Sequence, residues 1–349
     1  MRLNNVFIPI LFALSLFSCN SSNEIVDRLV DGNIQEFVVE GNPSLRGVDV
    51  YNDRVCWISG SKGTFARTLD AGKTWHVGKI NNDTLLDFRD IHAFSDISAI
   101  ALSAGSPARI YKTTDGGLTW TRNYENSDSL IFFNSFDFCD SQRGIACSDP
   151  IRGNFLFIET QNGGETWDTV DFNAIPKPLY PEGGYAASGT SVVYSTNGVI
   201  LYGTGGAEAR VIRSVDFGKT WEAIKSPLKA GESYGIYSIA KIGSNSYAIA
   251  GGCWQKIDEA MDNIAVSDDS GKNWTLTKKF PSGFESCVKY LPKAKVLIVC
   301  GTIGVDYSAN MGETWIKTKL KGYNAMDFDA SEKLGVFVGP KGIVGVFSE

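Results

Sequence analysis

Histidine is almost missing from this 349-residue chain: His76 and His92 are the only two. No Ser-His-Asp set or metal-ligand cluster can be read from so few. The seven cysteines form no CxxC pair, which removes the usual signature of a zinc site or a redox dithiol. No Gly-rich strand-turn-helix fingerprint marks a dinucleotide site. No cofactor and no metal are therefore expected. A formal net charge of −6 argues against a nucleic-acid-binding surface. The apolar run from Val6 to Phe17 is too short to span a membrane as a helix. No convincing amphipathic helix is evident either.

What is present begins with a leader. "MRLNNVFIPILFALSLFSC" carries Arg2, an apolar stretch and then Ser18-Cys19, the layout of a secretory signal. Leu16-Phe17-Ser18-Cys19 resembles the bacterial lipobox. That resemblance implies a lipidated Cys19, a membrane anchor and a place in the cell envelope. Asn20 resembles an outer-membrane sorting residue. Residues 20–31 read as a polar tether and 32–349 as one domain, expected to be monomeric. Of the other cysteines, Cys139 and Cys147 flank one short segment, and Cys287 and Cys300 flank another. Buried free thiols are the favoured reading; cross-strand disulfides remain open.

The dominant feature is a repeat. Ser/Thr-x-Asp/Asn-x-Gly-x-Thr/Asn-Trp occurs six times, centred on Asp70, Asp115, Asn162, Asp216, Asp269 and Asn310. The tryptophans that close it, Trp75, Trp120, Trp167, Trp221, Trp274 and Trp315, are 45, 47, 54, 53 and 41 residues apart. A period in this range, filled with strand-like segments, marks a propeller. Each unit reads as four antiparallel strands: for blade two, "FRDIHAF", "AIALSAG", "ARIYKTT" and "TWTRNY". After Trp315 three more strands follow, with Ser348 where a further repeat would begin. "IQEFVVE" at the other end supplies the missing fourth strand. Closure by that N-terminal strand removes both open sheet edges. The expectation is all-β: a seven-bladed propeller, with six blades as the alternative.

These motifs resemble Asp-box, or bacterial neuraminidase, repeats, most like the photosystem II assembly-factor-like propellers. The resemblance covers nearly the whole mature chain and implies the propeller fold. The turn explains itself structurally. Asp or Asn bonds backbone N–H groups ahead of it, Gly permits positive φ, the Ser/Thr hydroxyl satisfies nearby backbone, and Trp fills the gap between blades. Asn in two of six positions suits a hydrogen bond and not an acid catalyst.

Function is therefore sought on the opposite face, among irregular loops on a rigid scaffold. Candidates for ligand contact there are Arg46, Arg89, Asp90, Arg109, Asp149, Glu182, Tyr185, Glu208, Arg210, Trp254 and Glu285. Arg46, Arg89, Arg109 and Arg210 are expected to converge on the channel mouth, where guanidiniums grip anions. Asp90, Asp149 and Glu208 are the expected partners. Two functions follow. One is a non-enzymatic, envelope-anchored binding or assembly module for an envelope protein or anionic glycan. The other is a sialidase-like or other glycoside hydrolase, although the sialidase "RIP" motif is absent.

Overall fold

The computed structural model describes residues 21–348. Seven sheets follow one another around a central axis. Their innermost strands are Leu45–Val50, Asp87–Ala93, Phe133–Phe138, Val192–Tyr194, Gly231–Lys241, Cys287–Leu291 and Ala325–Phe328. Six sheets have four strands, and the fifth blade has six. The last blade is completed by Gln35–Val38, which pairs antiparallel with Ile343–Ser348. The seven-bladed expectation holds, including its closure by the N-terminal strand.

The repeated turn is a closed set of local hydrogen bonds. At Asp70, one carboxylate oxygen accepts from the Thr74 N–H at 2.8 Å and from the Thr68 hydroxyl at 2.9 Å. The other accepts from the Thr74 hydroxyl at 2.6 Å. The Gly72 N–H donates to Thr68 Oγ1 at 2.9 Å. Asn162 keeps this pattern by reversing one bond: its amide donates to Thr166 Oγ1 at 2.9 Å. A hydroxyl accepts as readily as it donates, so Asp and Asn are equivalent here. Gly117 shows why Gly is needed. Its φ is +87°, and a Cβ would lie 2.5 Å from the Phe65 ring of the neighbouring blade.

Packing between blades is aromatic. Trp120 meets Trp57 and Phe65 edge-on, at 6.2 and 5.3 Å between ring centroids. Trp75 stacks on Phe37 of the last blade, and Trp221 reaches Phe157. Trp75, Trp120 and Trp221 thus join their blades to a neighbour. All six described cysteines are buried free thiols. Cys287 and Cys300 sit opposite each other in register, whereas Cys147 pairs with Ser135 rather than Cys139.

One expectation is corrected. Residues 21–31, read as part of a tether, form a helix, Ser21–Asp31. Ile25 and Leu29 bury themselves against Leu291, Val296, Phe328 and Phe347. Arg28 donates to the Ser348 carbonyl at 3.0 Å and lies over the Phe347 ring. Apolar residues at 25, 26, 29 and 30 form one stripe at helical spacing. The last blade therefore has a helix where the other six have the repeated turn. Among the described residues no helix is long and apolar enough to cross a membrane.

Candidate functional site

Antiparallel order places the repeated turns at one face. The starts of the first strands, and the loops joining second to third strands, lie at the other. The mouth of the channel on that second face is closed by the chain itself. Residues 179–190, between blades three and four, run across it and touch six blades. The Gly184 N–H donates to Asp149 at 2.9 Å. Tyr185 stacks on Tyr237 at 3.8 Å and donates to the Tyr234 carbonyl at 3.0 Å. The Ala186 and Ala187 carbonyls accept from Arg89 at 3.2 Å and Arg46 at 2.9 Å. Ser188 donates to the Ser286 carbonyl at 2.7 Å. Gly189, with φ +72°, packs so closely on Asp90 that a Cβ would lie 2.4 Å from its carboxylate.

This plug redistributes the expected arginine cluster. Arg46 and Arg89 do come together, on consecutive carbonyls of the plug. Burial, and then the charge of Arg89, bring the Arg46 guanidinium down to about 10. Arg89 is paired with Asp87 at 2.8 Å. Arg109 is elsewhere: it pairs with Asp83 and with Glu125 at 3.2 Å. Arg210 is buried in a two-point pair with Glu182, at 2.9 and 2.5 Å, and donates to the Lys177 carbonyl. Four guanidiniums therefore do not share one space. Equivalent repeat positions share a backbone site, but a third-strand side chain finds its partner on the adjacent strand or on the inserted segment.

The expected acidic partners are reassigned too. Asp90 accepts from the Ile91 and Phe136 N–H groups, both at 2.9 Å, and burial pushes its carboxyl well above the usual range. Asp149 is pushed up to about 6 by burial. Glu208 pairs with Lys225 at 2.9 Å. Glu285 is buried. Trp254 remains on the surface, 55% exposed.

Beside the plug lies a cleft of about 920 Å³. Its floor is backbone-rich: Gly183, Gly184, Gly205, Gly206 and Gly231. Glu182–Gly183 pairs with Gly205–Gly206, which pairs with the first strand of blade five. These two short strands extend that blade's sheet over the face. Tyr180, 98% exposed, stands at the rim with Leu179, Pro150 and Arg152. Sequence reading placed Glu182 and Tyr185 on this face but not the glycine floor. "YGTGG" at 202–206 carried the signal, since adjacent glycines in a strand mark close backbone approach.

Within the channel, under the plug, a second cavity of about 310 Å³ is lined by Asp49, His92, Asp137, Lys289 and Asp327. Asp49, Asp137 and Asp327 each accept an N–H from the next blade: Ala93, Tyr194 and Val50. His92 lies 3.0 Å from Asp49. Burial opposes the charge on His92, but Asp49, with Asp137 and Asp327, outweighs it and raises the imidazole above its ordinary value. Burial pushes Asp137 up to about 6. Sequence reading missed this belt, although aligning "VDVY", "IHAF", "FDFC" and "MDFD" puts its acids and His92 in one column. Among the described residues no group of three or more His, Cys, Asp or Glu forms a metal centre.

Neither a family model nor a curated protein matches this chain. Solved structures do. YCF48 from Cyanidioschyzon merolae superposes with a TM-score of 0.64 at 15% identity, covering 90% of this chain and 98% of that one. YCF48 bound to D1 peptide gives 0.63 at 15%, covering 90% and 97%. The GH74 xyloglucanase from Xanthomonas campestris gives 0.66 at 13%, covering 89% of this chain and 53% of that one. At such identities the likeness is one of fold. This chain is a seven-bladed propeller similar to the YCF48 assembly factor and to the propeller of a glycoside hydrolase.

Proposed function

We propose that this protein is a non-enzymatic, envelope-anchored binding module that holds an extended segment of a partner protein in the glycine-floored cleft. The cleft carries the reading. Glu182–Gly183 is the edge strand of the extended sheet, where an extended chain can pair, and an exposed tyrosine at the rim offers an aromatic anchor. Tyr180, Tyr185, Arg152 and Glu232 are the side chains placed to contact it. A YCF48 structure that holds a peptide lends the reading support by analogy of fold.

The glycosidase alternative is less well served. Its chemistry needs two carboxylates across a scissile bond, roughly 5–9 Å apart. Of the two carboxylates lining the cleft, Glu182 is fully enclosed by Arg210, Thr204 and the Leu179 N–H. That leaves Glu232 alone.

A photo-crosslinking residue in place of Tyr180 tests the reading in intact cells. It should capture a discrete envelope protein, and the same probe in place of Leu118, on the turn face, should not. Equal capture at both sites, or release of reducing ends from a glycan by the purified protein, would overturn it. The anchor is tested separately. Cys19 lies outside the described residues, and Cys19→Ala should move the protein from the membrane fraction to the soluble one.

A further inference from the structure

Three side-chain oxygens are stranded around one peptide between blades five and six. They are Asn263 Oδ1, Glu285 Oε2 and Asp306 Oδ1. Each is buried and has no hydrogen-bond partner, and the residues are 0%, 2% and 3% exposed. All three side chains grip the same loop by their other atoms. The Asn263 amide donates to the Gly283 carbonyl. The Gly283 N–H donates to the Glu285 carboxylate. The Ser282 N–H donates to the second oxygen of Asp306. Glu285 and Asp306 also repel each other, and with burial this keeps the Glu285 carboxyl well above its usual range.

Such an arrangement is costly as it stands. Each buried, unmet polar oxygen is destabilising, and more so when charged. Lys317, opposite Asp306 in register, offsets only part of the negative charge, and it is exposed. We propose that the three oxygens bind a hard divalent cation of the calcium type, which clamps blade five to blade six beneath residues 282–285. Two carboxylates and a carboxamide are oxygen donors alone, with none of the nitrogen or sulfur that a softer metal prefers. The third donor is an amide, so the site is not a cluster of acids and histidines. Calcium accepts irregular sets of carboxylate, carboxamide and carbonyl oxygens, whereas magnesium demands a near-ideal octahedron. The site is separate from the cleft and does not depend on its ligand.

The test uses the full-length protein, stripped with a chelator and titrated with CaCl2 or MgCl2. Binding is followed by calorimetry and by thermal unfolding. Calcium should bind at one saturable site and raise the unfolding midpoint, with magnesium much weaker. Glu285→Gln and Asp306→Asn should each weaken calcium binding by about tenfold or more, since charge count sets affinity at such sites. If those variants do not fold, Asn263→Asp, which adds a carboxylate, should tighten it. No saturable binding by the wild type, or the same affinity in every folded variant, would overturn the proposal. So would a wild type indifferent to calcium whose Glu285→Gln variant is the more stable protein, because a shared proton would then fill the site.

Discussion

The two faces of this propeller are built on opposite principles. On one, six turns repeat almost the same hydrogen bonds, each complete within eight residues of chain. On the other, contacts join residues far apart: Arg46 reaches Ala187 across 141 positions, and Ser188 reaches Ser286 across 98. The repeated face has little freedom to change, because the same turn serves six of the seven blades. The opposite face carries the plug, the cleft and the six-stranded blade. Regularity marks the scaffold, and departure from it marks where a ligand can be met.

The contrast is broken most severely at Glu182. Its side chain is fully buried and takes two hydrogen bonds from Arg210. Glu182→Ala leaves a buried guanidinium without its partner, which costs about 3–5 kcal/mol. The plug should loosen with it. Urea denaturation and proteolysis near Tyr180 measure the two effects. A variant as stable as wild type, with its plug still protected, would mean that Arg210 is rescued by water and that the plug stands on its other contacts.

The seventh blade sharpens the comparison, because a helix stands there in place of a turn. Leu29 is 1% exposed within the cluster of blades six and seven. Leu29→Ala should cost about 2–5 kcal/mol, the range for a buried leucine. It should also favour opening at the closure strand, Gln35–Val38, over opening at the other blades. Hydrogen exchange localises that opening. Uniform exchange across all blades would show that the helix adds stability without latching the ring.

Asp137 in the channel and Asp269 in a turn should respond to pH in opposite senses. Asp137 is raised to about 6 by burial, so the folded state holds its proton more tightly than the unfolded chain does. Its contribution to stability is complete below its ordinary value of 3.8 and is lost as pH rises through 6. His92, also raised, contributes fully below its ordinary 6.5, and that contribution is lost as pH rises through its folded value. Asp269, held down to about 2 chiefly by the Asn273 N–H, works the other way. Its contribution is present above 3.8 and is lost as pH falls toward 2. Asp137→Asn should flatten the decline between pH 4 and 6, by at most about 2 kcal/mol, given partial access to solvent. Urea midpoints at pH 4, 5, 6 and 7 measure the slope. An unchanged slope would place the titrating group elsewhere.

The same division sets what could be read from sequence. The turn was legible because its partners lie within eight residues and recur, and blade number and closure followed from counting. Arg46 and Arg89 were placed together because first strands are equivalent around the ring. The plug was not legible. Residues 179–190 have no strand periodicity, and their contacts are fixed only once six blades are assembled. The helix was overlooked because its stripe is four residues long and lies behind a polar start. Glu182 was named as a ligand contact, but its pairing with Arg210 depends on where the inserted segment falls.

The smallest expected effects are in the turns themselves. In Asp216→Ala the Thr220 N–H and hydroxyl lose their acceptor, at 2.9 and 2.6 Å, as does the Ser214 hydroxyl. The Thr220 groups lie at the surface, where water replaces the carboxylate, and the buried Ser214 hydroxyl keeps its bond from the Gly218 N–H. The cost should therefore be about 1 kcal/mol, that of an ordinary hydrogen-bonding group. Asn162→Asp should cost close to nothing, because the Thr166 hydroxyl only has to reverse its bond. Partner capture through the Tyr180 position should be unchanged in both variants. Each measurement bears on the comparison of faces. A large loss of stability in Asp216→Ala would mean that one turn supports more than its own blade. Lost capture in a folded Asp216→Ala protein would carry function to the repeated face, where the six turns would then have to be regarded as a site.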